Sequence, residues 1–106
     1  MSRFVNVAIG QLGPIARHET RTQVVQRLSA LMRQAHRMDC DLIAYPELAL
    51  TTFFPRWYIE DPAELDAYYE HEMPGPETQA LFDLSRQLGI GFYIGYAELT
   101  PEGRHF

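Results

Sequence analysis

Glu47 is the residue whose type and place could do chemistry. It follows the apolar run Leu42-Ile43-Ala44-Tyr45-Pro46 and is expected at the C-terminal end of a buried strand. In open α/β sheets that edge is where ligands and reacting groups gather. A carboxylate there, between an apolar strand and the aromatic-rich segment 47–59, would be partly desolvated. Desolvation favours the protonated form and moves a carboxylate toward the range useful for a general base. The plainer alternative is a solvated or salt-bridged strand-end glutamate, and position alone leaves both open.

Other chemically capable side chains do not join it. Cys40 lies at the start of the strand that Glu47 ends. Seven residues at ~3.3 Å each separate the two by about 20 Å, whereas a nucleophile and its base need ~3 Å. Cys40 reads as a small buried residue in a helix–strand connection. The four histidines, His18, His36, His71 and His105, include no pair at the i, i+4 spacing of a metal-binding helix. His71 between Glu70 and Glu72 resembles a solvated charged run. Tyr68-Tyr69 reads as helix packing, and Arg56 as a surface arginine that could alternatively meet an anionic substrate or a neighbouring subunit.

Composition narrows the classes. All nine basic side chains among the 106 residues are arginines, so a mechanism that needs a lysine is incomplete within this sequence. The lone cysteine rules out an internal disulfide or a multi-thiolate zinc site. A net charge of −5 without a basic stripe argues against nucleic acid as partner. No apolar run approaches the ~20 residues of a membrane span. The opening Met1-Ser2-Arg3-Phe4 lacks the layout of a secretory signal, so the cytoplasm is the expected compartment.

The elements that must position Glu47 follow from periodicity. Residues 4–12 read as a mostly buried strand, with Val5, Val7 and Ile9 on one face, closed by Gly13-Pro14. A long amphipathic helix spans about 19–38, with Val24, Val25, Leu28, Leu31, Met32 and Ala35 inward and Arg21, Arg27, Arg33 and Arg37 mostly outward. A short buried strand over 41–46 completes a βαβ unit with a parallel pair. Segment 47–59 has no clean period: an ordinary connection over packed aromatics, or a structured loop that carries a site. Asp61-Pro62 opens an acidic helix to about residue 72, and Pro76 opens another that Gly89 ends. Residues 90–99 read as a third strand in which Gly91 and Gly95 suggest close backbone approach. After a turn at 100–103, residues 104–106 look like a fourth strand barely begun. An unfinished hairpin on a one-sided sheet predicts a poorly soluble or associating 1–106 chain.

The segment Asp41-Leu42-Ile43-Ala44-Tyr45-Pro46-Glu47 resembles the first signature of the nitrilase (carbon–nitrogen hydrolase) superfamily, an apolar strand ending in Pro-Glu. Gly10-Gln11, Gly13-Pro14-Ile15-Ala16-Arg17, the run ELALTTFFPRW from Glu47 to Trp57, Glu72-Met73-Pro74-Gly75-Pro76 and Leu88-Gly89-Ile90-Gly91-Phe92 look like N-carbamoyl-D-amino acid amidohydrolases within it. The resemblance implies that residues 1–106 are the N-terminal portion of a single domain about three times as long. The implied fold class is α/β, the N-terminal part of a four-layer α-β-β-α sandwich.

It also implies a Glu–Lys–Cys triad acting without metal or cofactor on a small-molecule N-carbamoyl-D-amino acid. The products are the D-amino acid, ammonia and carbon dioxide. Only the glutamate carries over, onto Glu47; the lysine and cysteine are expected after Phe106, and Cys40 does not match. The intact protein is expected to be a homo-oligomer, and the 1–106 chain inactive by itself. Other amidases of the superfamily, β-ureidopropionases among them, and a non-catalytic α/β module are the alternatives. One departure is Met38-Asp39-Cys40, where a glycine-containing turn is expected.

Overall fold

The computed structural model describes residues 2–106 and folds them around a three-stranded sheet whose strands are all parallel. The strands are β1 (Val7–Ile9), β2 (Leu42–Ala44) and β3 (Gly91–Tyr93), in spatial order 1-2-3, with Val7 opposite Leu42 and Leu42 opposite Gly91. Between β1 and β2 runs helix α1 (Arg21–Arg37). A short 3-10 turn at Phe54–Arg56, helix α2 (Pro62–Asp66) and helix α3 (Gln79–Leu88) lie between β2 and β3.

Helix α1 forms because its apolar residues recur every three to four positions and its first turn is closed at both ends. The Thr20 hydroxyl accepts from Gln23 N–H, and the Gln23 side chain accepts from Thr20 N–H, so two otherwise unpaired donors are satisfied. The expected inward face is the buried one: Val24, Val25, Leu28, Met32 and Ala35. They meet Leu81 and Leu84 of α3, and Ile43 and Ile90 from the sheet layer, in one core. Fully burying a side chain such as Leu28 or Met32 contributes about 1.5–3 kcal/mol.

At the C-terminal end of α1, Asp39 adopts the left-handed conformation, with φ 59°. The missing glycine is thereby explained, because a short polar side chain tolerates that region. Gly89 stops α3 in the same way, with φ 68°.

Tyr45 ties β2 to α1. Its ring is buried and its hydroxyl donates to the Leu28 carbonyl at 2.7 Å. Burial pushes the phenol well above its usual range, so it stays protonated and a donor. Tyr45→Phe keeps the ring and loses this bond. It is expected to cost about 1 kcal/mol, read from denaturant unfolding of the complete protein.

Several expectations are corrected. The first strand is shorter than 4–12 and is not mostly buried: Val5, Val7 and Ile9 are exposed, while Ala8 and, beyond the strand, Leu12 pack against the core. Both α1 and α3 cover the same side of the sheet, so the other side is open. The helix expected to reach residue 72 stops at Asp66, because Glu70 turns extended and bridges Glu98. The strand expected over 90–99 is ordered as β3 only to Tyr93, with separate bridges at Glu98 and Leu99. The last residues do form the start of a hairpin, with Leu99 opposite His105.

Glu70 is not part of a solvated run: it is buried and paired with Arg21 at 2.7 Å. Arg27 is likewise half-buried, on Glu19 and the Leu12 carbonyl, leaving Arg33 and Arg37 as the outward-facing pair.

The open side of the sheet carries Val7, Ile9 and Tyr93, with Phe4 and Val5 beside them on the same segment. Apolar surface of this kind drives association. The isolated 1–106 chain is therefore expected to sediment as oligomers or aggregates; a monodisperse monomer with a cooperative melt would contradict this.

Candidate active site

Glu47 follows β2 in a turn over residues 47–50, at the C-terminal edge of the parallel sheet. Three hydrogen bonds brace that edge. Gly10 N–H donates to the Ala44 carbonyl at 2.7 Å, Tyr45 N–H to the Tyr93 carbonyl at 2.9 Å, and Ala49 N–H to the Gly95 carbonyl at 2.9 Å. Leu48, next to Glu47, is held in the left-handed region with φ 48°. An apolar residue rarely adopts that conformation, and such strain clusters where surrounding structure fixes a functional backbone.

The turn borders a cleft of about 260 Å³ between the ends of β1 and β2, lined by Gln11, Pro14, Glu47, Leu48, Thr51 and Phe53 among others. Glu47 is exposed and makes no ion pair among the described residues. The expected partial desolvation is thus not met within this chain. Residue 47 stands in the turn beyond the end of β2, with its side chain exposed on the rim of the cleft. Of the plainer readings of Glu47, no salt bridge is present among the described residues, and the solvated one agrees with its exposure within this chain.

The remaining candidates lie elsewhere. Cys40 precedes β2 and therefore stands at the opposite end of the strand from Glu47. Its N–H donates to the Ala35 carbonyl, as suits a residue that closes a helix–strand connection. His18 lies in the turn before α1 and His36 in the last turn of α1. His71 is exposed, and His105 pairs with Asp66 at 2.8 Å. No group of three or more His, Cys, Asp or Glu could hold a metal among the described residues.

Arg56 is exposed and stacks over Trp57, with its guanidinium 5.6 Å from the ring; Arg17 stands 5.0 Å from that ring and pairs with Glu64 at 2.7 Å. Tyr68 and Tyr69 pack on Phe54, at 5.0 and 5.4 Å between ring centres, which confirms them as packing residues. Segment 47–59 is thus a structured loop: Phe54 is its buried anchor, and Glu47 and Phe53 face the cleft.

Residues 6–106 match the family described as carbon-nitrogen hydrolase. The chain belongs to the carbon–nitrogen hydrolase family. A protein named Nitrilase 2, from an unknown prokaryotic organism, is 31% identical over 110 residues, which covers 95% of this chain. The chain spans 34% of the length of that relative. Membership places the chain in a hydrolase-type enzyme family. Among the described residues no helix of this carbon–nitrogen hydrolase chain is long and apolar enough to cross a membrane.

Sequence reasoning did not find the left-handed Leu48, because nothing in a leucine announces that conformation. Gly95, marked beforehand for close approach, was the available signal: it packs against the backbone of Glu47.

Proposed function

We propose that this chain is the N-terminal portion of an N-carbamoyl-D-amino acid amidohydrolase, in which Glu47 is the general base. The observation that supports it best is the place of Glu47. It is a carboxylate without an ion-pair partner among the described residues, on a braced turn beside a cleft at the C-terminal edge of a parallel sheet, in a carbon–nitrogen hydrolase chain.

A cysteine supplied beyond Phe106 attacks the carbamoyl carbon, and Glu47 accepts the thiol proton. A lysine, also beyond Phe106, stabilises the negative oxygen of the tetrahedral intermediate. That intermediate collapses with cleavage of a C–N bond, the leaving nitrogen taking the proton back. Glu47 then takes a proton from water as water attacks the acyl-enzyme, so one water is consumed and the thiol is restored. The carbamic acid released by that hydrolysis breaks its remaining C–N bond as carbon dioxide leaves, so the net products are D-amino acid, ammonia and carbon dioxide. The substrate is a small molecule, with no metal, cofactor, nucleic acid or membrane involved. The α-β-β-α sandwich would place a second sheet against the open face of this one, and homo-oligomeric assembly in the cytoplasm belongs to the same reading.

The relative named Nitrilase 2 favours a second reading, a nitrile as the group hydrolysed. The experiment compares ammonia release by the complete gene product from N-carbamoyl-D-phenylalanine, its L-enantiomer and a matched nitrile. Selective turnover of the D-carbamoyl compound supports the first reading, and turnover of the nitrile alone replaces it with the second. The purified 1–106 chain is expected to release no ammonia from any of them. Turnover by 1–106 that survives Cys40→Ala would defeat the triad account, and a stop codon directly after Phe106 would favour a non-catalytic module.

A further inference from the structure

The parallel ladder between β2 and β3 does not continue evenly past the sheet. Its rungs pass from Tyr45 N–H on the Tyr93 carbonyl to Ala49 N–H on the Gly95 carbonyl. From 45 to 49 one chain advances four residues, while from 93 to 95 the other advances two. The extra residues must leave the line of the strand, as in a β-bulge, a device that re-aims side chains beside active sites. The excursion is Pro46-Glu47-Leu48, and the left-handed Leu48 turns it back toward the ladder.

Gly95 lies directly against this excursion. A Cβ on it would stand 3.2 Å from Glu47 Cα, 3.4 Å from the Pro46 carbonyl oxygen and 3.5 Å from Leu48 N. These are backbone atoms, so none can swing aside as the tip of a long side chain could. Gly91, four residues earlier, makes a useful contrast. Its Cβ would come within 3.3 Å of Leu42 Cδ1, a movable methyl group remote from the turn. Both glycines are tight, but only one is tight against Glu47.

We infer that Gly95 is a positioning residue for Glu47: its bare backbone sets how far the bulge carries the carboxylate out over the cleft. This rests on the reading of Glu47 as the general base. Any side chain at 95 pushes the Glu47 backbone outward by a few tenths of an ångström. Proton transfer depends steeply on such placement, and a shift of ~1 Å can cost ~10²-fold in rate.

The test uses the complete protein with N-carbamoyl-D-phenylalanine. Gly95→Ala is expected to lower kcat by about threefold to tenfold, with KM within about twofold and the melt cooperative. Gly91→Ala, equally crowded, is expected to leave kcat near wild type. A merely structural role would lower the melting temperature of both variants and leave kcat of the folded fraction unchanged, which overturns the inference.

If Gly95→Ala does not fold, Leu48→Val approaches the same bulge from the other strand. A β-branched residue resists the left-handed region, so kcat is again expected to fall, and an unchanged kcat overturns the inference. Crystal structures supply a readout without substrate. Glu47 Cα is expected to be displaced in Gly95→Ala and in place in Gly91→Ala, and an undisplaced Glu47 overturns the inference even if activity falls. Should Glu47→Gln keep full activity, the base reading fails instead, whatever Gly95 does to the backbone.

Discussion

Glu47→Gln in the complete enzyme is expected to lower kcat by roughly 10²–10⁴, the usual contribution of a positioned acid–base group. Glutamine matches the shape of glutamate and cannot accept the proton of an attacking thiol. Glu47 is exposed and makes no ion pair among the described residues, so its replacement should leave the melting temperature almost unchanged. Loss of turnover at constant stability is the signature of chemistry, since structural damage would lower both. Steady-state kinetics beside a thermal melt on the same preparation reads the two together. If Glu47→Gln keeps more than about a tenth of wild-type kcat, a fall smaller than the least that such a group contributes, the base lies elsewhere.

How much of this was legible in the sequence depends on the range of the interaction that fixes each feature. Local features were readable. The apolar spacing of α1, the Asp61 cap of α2 and the Gly89 stop each act within a few residues, and each is found where expected. The parallel pairing of β1 and β2 follows from a strand–helix–strand order, and the strand-end place of Glu47 follows from the apolar run before it.

Features set across the fold were not readable. Alternation in residues 4–12 shows that Val5, Val7 and Ile9 share a face, but not whether another layer covers that face. The charges around His71 suggest solvent, yet Glu70 meets an arginine 49 residues away in sequence. The bulge at Glu47 depends on registering two strands whose residues lie nearly fifty apart, with Leu48 bent against its own preference.

That long-range pair, Arg21 with Glu70, carries the largest expected effect on stability. Arg21 Nε donates to Glu70 Oε2 at 2.7 Å, and its Nη2 donates to the Ala67 carbonyl at 2.6 Å. The backbone of Glu70 is held by the last strand segment, donating to the Ala97 carbonyl and accepting from Leu99 N–H. One ion pair thus fastens the start of α1 to the segment leading away from β3. Burial raises the proton affinity of Glu70 above the ordinary carboxylate, and Arg21 opposes that rise only in part.

Arg21→Ala leaves the carboxylate, 8% exposed, without its cation. Breaking a fully buried pair costs 3–5 kcal/mol; because Arg21 is about a quarter exposed, about 2–3 kcal/mol is expected here. The pH dependence has a definite sign. Glu70 holds its proton more tightly folded than unfolded, and more tightly still without Arg21. Well below the unfolded value of 4.5 both states are protonated, and the charge penalty is absent. As pH rises through that value and then through the folded one, the unfolded chain ionises freely while the folded chain must carry an unpaired buried charge.

The stability gap between wild type and Arg21→Ala is therefore expected to stay constant at acid pH and to widen toward neutrality once pH passes the folded value of wild-type Glu70, itself above 4.5. Denaturant unfolding of the complete protein from acid to neutral pH measures it. In an Arg21→Ala, Glu70→Gln background the charge is gone, and the gap should stay flat with pH. A gap for Arg21→Ala that is just as flat would assign the loss to the packing of the arginine stem, and Glu70 would then be neutral in the fold.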